Sequence, residues 1–150
     1  MSHSYRFPIK GSYYYSADKA FKQQLIKVGN TLYLHPEPNN EHDCYALQIW
    51  THPNGQGYLI GYVPRQLAKQ WRPLLTNTHQ ASNTHSQEPS WPIKLCVALA
   101  RGKQLRLECQ IQLNLTWLKH LQTLSWTHWL RQQQTLKWWL NARRKKRFQR

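Results

Sequence analysis

Residues 91–113 read WPIKLCVALARGKQLRLECQIQL, and their alternation is the cleanest pattern in the chain. Ile93, Leu95, Val97 and Leu99 fall on every second position, Arg101-Gly102-Lys103 interrupts them, and Leu105, Leu107, Cys109, Ile111 and Leu113 resume the same period. Successive side chains of a strand point to opposite faces, so this spacing predicts an antiparallel hairpin, 91–113, with one buried face.

Working towards the N-terminus, Asn77 to Ser90 is polar and poor in apolar residues, which predicts a flexible loop over 77–90. Pro64 suits the first turn of a helix, and Leu67, Ala68, Trp71, Leu74 and Leu75 then share one face of a helix from Arg65 to Leu75. Cys44 to Thr51 and Tyr58 to Val63 read as two strands joined by the turn Pro53-Asn54-Gly55-Gln56-Gly57. Tyr5 to Tyr15 reads as an opening strand bent at Pro8 and Gly11, Ala17 to Ile26 as a weak helix, and Thr31 to His35 as a strand. Two prolines bar Pro36 to Asp43 from being a strand or a helix interior, so an ordered loop is expected there.

Towards the C-terminus, Asn114 is a candidate cap. Leu118, Leu121, Leu124, Trp129, Leu130, Leu136 and Leu140 recur at roughly helical spacing, predicting a helix interrupted near Gln132 to Thr135. Five of the eight tryptophans (Trp117, Trp126, Trp129, Trp138 and Trp139) lie in this last quarter. The chain closes on a basic block, Arg143, Arg144, Lys145, Lys146 and Arg147 among it, that is not expected to order alone. The expected architecture is therefore mainly β with α: a domain over 1–113 and a tryptophan-rich, basic helical tail over 114–150.

At 150 residues the chain has the size of one domain, able to bury roughly two-thirds of its unfolded surface without metals or disulfides. It carries 21 Lys and Arg against 6 Asp and Glu, a net charge of +15, and no acid beyond Glu108. Such an imbalance points to a polyanion partner. Cys44, Cys96 and Cys109 form no CxxC spacing and read as buried small apolar residues in a reducing compartment. The N-terminus has no apolar signal-peptide run and no segment is apolar enough to span a bilayer, so a soluble, cytoplasmic protein is expected. The histidines form no metal-ligand spacing with the cysteines, and there is no nucleophile elbow, P-loop or carboxylate cluster. Neither a metal, a cofactor nor catalysis is expected.

Four further stretches carry a resemblance: Gly11-Ser-Tyr-Tyr-Tyr15, Leu25-Ile-Lys-Val-Gly-Asn-Thr-Leu-Tyr-Leu34, Glu37-Pro-Asn-Asn-Glu-His-Asp-Cys-Tyr-Ala-Leu47 and Leu59-Ile-Gly-Tyr-Val-Pro-Arg-Gln-Leu-Ala68. In this order they resemble the HIRAN domain, over roughly Phe7 to Leu75. The resemblance implies a small β-barrel related to OB and SH3-like barrels. It also implies capture of the 3′-hydroxyl end of single-stranded DNA, as a module in DNA repair or mobile-element processing beside a helicase or nuclease. By the same resemblance Tyr13 and Tyr14 hold the terminal nucleotides, Asp43 accepts a hydrogen bond from the terminal sugar hydroxyl with His42 beside it, and Tyr62 and Arg65 touch base and phosphate. The chain departs from the family pattern at Pro36, where Arg is usual, at His42, where Tyr is usual, and at Tyr45, where Asn is usual.

The residues themselves agree with a single-strand reading, because aromatic faces stack bases and cations follow phosphates. An acid in so basic a protein is tolerated only where a hydroxyl replaces a phosphate or where it organises its own loop. Plainer readings stand alongside: strand packing for Tyr13, Tyr14 and Tyr15, and an Asx-turn for Asp43. The tail has three readings: a helix packed on the barrel, a membrane-surface helix, or a helix binding a protein or nucleic acid. In a general DNA- or RNA-binding protein, or a docking adaptor, the tail would dominate. Its basic block is expected to add salt-dependent phosphate attraction.

Overall fold

The computed structural model describes residues 2–80, 89–101 and 104–147. In chain order these form β1 (His3–Pro8), α1 (Ala17–Lys22), β2 (Thr31–Pro36), β3 (Leu47–Trp50), β4 (Leu59–Tyr62), α2 (Arg65–Gln80), β5 (Trp91–Arg101), β6 (Gln104–Leu113) and α3 (Trp117–Arg147). The six strands make one sheet in the order β1-β6-β5-β2-β3-β4, antiparallel throughout. Just past β1, Lys10 exchanges two backbone hydrogen bonds of 2.9 Å with Tyr62 at the end of β4. The two edges of the sheet meet there, and it curls into the expected small barrel followed by a C-terminal helix. Gly61 permits the meeting, since a Cβ on it would lie 2.3 Å from the Lys10 carbonyl oxygen.

Tyr5, Phe7, Leu32, Leu34, Leu47, Ile49, Ile60, Leu95, Leu107 and Cys109 fill the interior. The helix α2 contributes Leu67, Ala68 and Trp71, whose ring meets Phe7 edge-on at 5.1 Å. The hairpin β5–β6 forms where alternation placed it, with its two turn residues, Gly102 and Lys103, outside the described residues. Its register shifts between Leu95 and Val97, which makes Cys96 the extra residue of a bulge. A bulge reverses the facing of everything beyond it. Ala98 therefore packs towards the core, Val97 is only half-buried and Leu99 is exposed, against the expectation of one uninterrupted face.

Several other boundaries differ from the sequence reading. β1 stops at Pro8, because Gly11 takes a positive φ of 74° and the Gly11 carbonyl accepts from Tyr14 N (2.8 Å), turning residues 11–15 out of the sheet. β2 reaches Pro36, which needs no N–H where it terminates a strand. α1 ends at Lys22, since Gln24 is left-handed at φ 59°. α2 carries Pro73 and continues through Asn77 to Gln80, where a loop was expected; a helix already anchored by Trp71 and Leu75 extends at little cost, and Thr76 Oγ1 donates to the Arg72 carbonyl. The rest of that loop, 81–88, lies outside the described residues. Of the cysteines only Cys109 is buried; Cys44 is exposed on its loop and Cys96 half-exposed at the bulge.

The tail forms one helix of 31 residues, starting at Trp117 rather than after Asn114 and running uninterrupted through Gln132–Thr135. None of those residues breaks a helix, and Thr135 Oγ1 donates to the Arg131 carbonyl (2.9 Å). It packs along β1 and against α2. The face it buries is largely polar: Thr123, Thr127 and Leu130, at i, i+4 and i+7, with Thr123 donating to Gln70 on α2 (3.0 Å) and His120 Nδ1 bonded to the Tyr5 hydroxyl (2.6 Å). A fully buried acid completes the joint. Glu108 on β6 accepts from Arg106 Nη2 (2.8 Å) and from Arg131 Nε of α3 (3.0 Å). Of the apolar residues whose spacing predicted the helix, only Leu130 is buried; Leu118, Leu121, Leu124, Trp129, Leu136 and Leu140 are exposed. The side chains of Arg143, Arg144, Lys145, Lys146 and Arg147 lie outside the described residues.

Candidate nucleic-acid interface

The loop between β2 and β3 is shaped by its own polar side chains. Asn40 Oδ1 accepts from His42 N and Asp43 N, both at 2.9 Å, while its Nδ2 donates to Glu37 Oε2 at 2.7 Å. Asp43 Oδ1 in turn accepts from Tyr45 N (3.0 Å), an Asx-turn that fixes the carboxylate. The other oxygen, Oδ2, lies 3.9 Å from Arg65 Nε at the start of α2. Arg72, two turns further along α2, donates to the Cys44 carbonyl and pins the loop to the helix.

Together these groups surround a hollow of about 490 Å³ lined by Glu41, His42, Asp43, Tyr45, Arg65 and Lys69, with Asn40 and Cys44. Asp43 is mostly buried in its wall, whereas Arg65 is largely exposed. Two carboxylates, Glu41 and Asp43, two cations and two flat rings thus share a concave surface. Arg65 and Lys69 fall on one helical face by their i, i+4 spacing.

Tyr62 stands behind this hollow rather than in its lining. Its hydroxyl donates to Glu37 Oε2 (3.0 Å) and accepts from Gln48 Nε2 (3.2 Å), and Gln48 Oε1 accepts from Trp50 Nε1 (2.8 Å). A continuous chain therefore runs from Trp50 through Gln48, Tyr62, Glu37 and Asn40 to the Asp43 loop. Burial, opposed by the Gln48 hydrogen bond and reinforced by Glu37, pushes the Tyr62 phenol up to about 12. Its ring is 5.4 Å from that of Tyr15.

Of the residues singled out by sequence, His42, Asp43 and Arg65 are brought together, and Tyr62 is joined to them through two side chains. Tyr13 and Tyr14 are not: both are well exposed, they touch each other edge-on at 5.6 Å, and Tyr13 borders a separate hollow beside α3. A single pocket of Tyr14, His42, Asp43 and Tyr62 is thus not what the chain forms. Glu37, Asn40, Tyr45, Gln48 and Lys69 were missed. The Asn39-Asn40 pair three residues before an Asp was the legible sign of Asx-type bonding, and the Arg65–Lys69 spacing that of a second cation. Among the described residues no group of three His, Cys, Asp or Glu could hold a metal, and no helix is long and apolar enough to cross a membrane.

Compared with protein families, residues 2–115 match the model of the HIRAN domain. The chain belongs to the HIRAN family. HIRAN domains are DNA-binding domains. Among solved structures the chain is similar to the HIRAN domain of human HLTF, at 18% identity and a TM-score of 0.49 over 74% of this chain and 77% of that one. It is likewise similar to a Lactobacillus plantarum protein, at 19% identity and a TM-score of 0.49 over 76% of this chain and 100% of that one. No curated protein matches it. The HIRAN match runs from before β1 to just past β6, so both the Asp43 hollow and Tyr62 fall inside it and α3 lies beyond it.

Proposed function

We propose that this chain binds single-stranded DNA at 3′-hydroxyl ends, without chemistry of its own. One observation carries the reading: Asp43 is a carboxylate held by an Asx-turn in the wall of a hollow that also carries two cations, Arg65 and Lys69, and a second acid, the exposed Glu41. A phosphate entering there is drawn by the cations and repelled by the two acids, whereas a sugar hydroxyl donates to Asp43 Oδ2 while the preceding phosphate reaches Arg65 or Lys69. The hollow therefore favours the place where a strand stops. His42 and Tyr45 offer ring faces for the last bases, each worth about 1–3 kcal/mol when stacked. Family membership supports DNA as the polyanion. Delivery of a helicase or nuclease partner to such ends, in repair or mobile-element processing, is the role this activity suits.

The test compares one oligonucleotide ending in a 3′-hydroxyl with the same strand ending in a 3′-phosphate. Tighter binding of the hydroxyl end supports the reading, and equal binding favours general nucleic-acid attraction by the basic tail. A second reading, a docking adaptor at anionic membrane surfaces, is favoured by the outward tryptophans and leucines of α3. Co-sedimentation with anionic vesicles, with and without residues 114–150, separates it from the first.

A further inference from the structure

We propose that α3 extends the DNA path beyond the domain, with Trp138 and Lys137 facing Tyr13 across a hollow that holds the strand inside its 3′ end. This rests on the single-strand reading above and adds a second contact region to it. The hollow, about 220 Å³, is lined by Tyr13, Gln104, Leu105, Arg106, Lys137 and Trp138 with two further α3 residues. Arg101 stands over the Trp138 ring, 5.4 Å from its centroid. Burial lowers the Lys10 pKa, and the like charge of Lys137 lowers it further. Lys10 is also the backbone partner of Tyr62, so the hollow adjoins the Tyr62 side of the site.

Rings and cations thus continue outward. Tyr62 meets Tyr15, Tyr14 meets Tyr13, and Tyr13 shares a hollow with Trp138. Among the described residues Lys10, Arg101 and Lys137 have no carboxylate partner, and Glu108, which pairs with Arg106 of the hollow's lining, is shared between Arg106 and Arg131. A row of stacking faces with unneutralised cations beside it fits a single strand: bases lie on the rings and phosphates follow the cations. An acidic peptide would satisfy the cations and leave the rings idle. The Glu108 clamp holds α3 on the barrel, which keeps Trp138 opposite Tyr13.

The experiment measures binding of the full chain to oligothymidylates with free 3′-hydroxyls, one of about four nucleotides and one of about twenty, lengths that bracket a single OB-type site. Trp138→Ala is expected to weaken the long strand by about tenfold, equivalent to about 1.4 kcal/mol and within the range for one stacked base, and to leave the short strand unchanged. Trp138→Phe, which keeps a ring, is expected to restore most of it. Lys137→Gln is expected to reduce the salt slope for the long strand by about 0.7, one phosphate contact on a single strand. A Trp138→Ala protein with native circular dichroism and wild-type affinity for the long strand would overturn the proposal, as would equal losses on both lengths. Preference for 3′-hydroxyl over 3′-phosphate separates the two readings. Its absence in wild type together with the Trp138→Ala loss removes end recognition and keeps this path. Its presence without the loss does the reverse.

Discussion

Replacing Glu108 by alanine removes the acceptor that two arginines share at the joint between β6 and α3. The carboxylate is fully buried, Arg106 is 18% exposed and Arg131 is 42% exposed. Breaking a buried pair by deleting one member costs about 3–5 kcal/mol, because the remaining charge is left uncompensated. Only the Arg106 half approaches that condition; the Arg131 half reaches solvent and is worth about 1 kcal/mol or less. A loss near the lower end, about 3 kcal/mol, is therefore expected, against a total stability of about 5–15 kcal/mol. For a chain of this size each kcal/mol moves Tm by roughly 2–4 °C, so Tm should fall by roughly 6–12 °C. Arg131→Gln should fall by no more than a third of that, and Glu108→Gln, which keeps the volume and one acceptor oxygen, should lie between. Thermal and urea unfolding followed by circular dichroism measure all three, and limited proteolysis reports whether α3 loosens first. An alanine variant within a degree or two of wild type, or an Arg131→Gln variant as damaged as Glu108→Ala, would refute this account of the joint.

Gly61→Ala places a methyl group 2.3 Å from the Lys10 carbonyl oxygen and 2.7 Å from Ile9 Cγ2. Backbone cannot yield cheaply there, so the urea midpoint should drop by the equivalent of about 1–3 kcal/mol, and an unchanged midpoint would mean that the barrel is not closed at Lys10–Tyr62. Tyr62, with its phenol raised to about 12, keeps its proton in the folded chain while the unfolded chain loses it near 10, so its contribution to stability is complete below about pH 10 and is lost between 10 and 12. The wild-type minus Tyr62→Phe absorbance difference at the phenolate band should therefore rise well above pH 10, and a rise centred at 10 would contradict the Glu37 and burial environment assigned to that hydroxyl.

Short-range patterns made much of this architecture legible. The β5–β6 hairpin, the turn at Asn54-Gly55 and the opening of α2 after Pro64 follow from period, turn chemistry and cap position, all local properties. The bulge at Cys96 was not legible, since a one-residue insertion leaves an apolar sequence looking regular while reversing its facing. α3 was legible as a helix but not in its orientation. Periodicity shows that an apolar stripe exists and says nothing of which way it points, and here a buried acid on β6 and polar residues on α2 select the opposite face. The lone Glu108 between Leu107 and Cys109 was the one sign of that demand. In the site, Asp43 and Arg65 were legible from motifs, whereas the tie between Tyr62 and Glu37 joins residues 25 positions apart and exists only once β2 and β4 are in place.

The most direct test of end recognition is an isosteric change at its acid. Asp43→Asn keeps an acceptor for Tyr45 N, and hence the loop, while removing the charge that Oδ2 presents. Affinities of wild type and variant for 3′-hydroxyl and 3′-phosphate strands, each at two salt concentrations, give both discrimination and salt slope. The expected result is a variant that binds the two ends alike with a slope close to that of wild type. Discrimination that persists undiminished in Asp43→Asn, with the loop intact, would contradict the account.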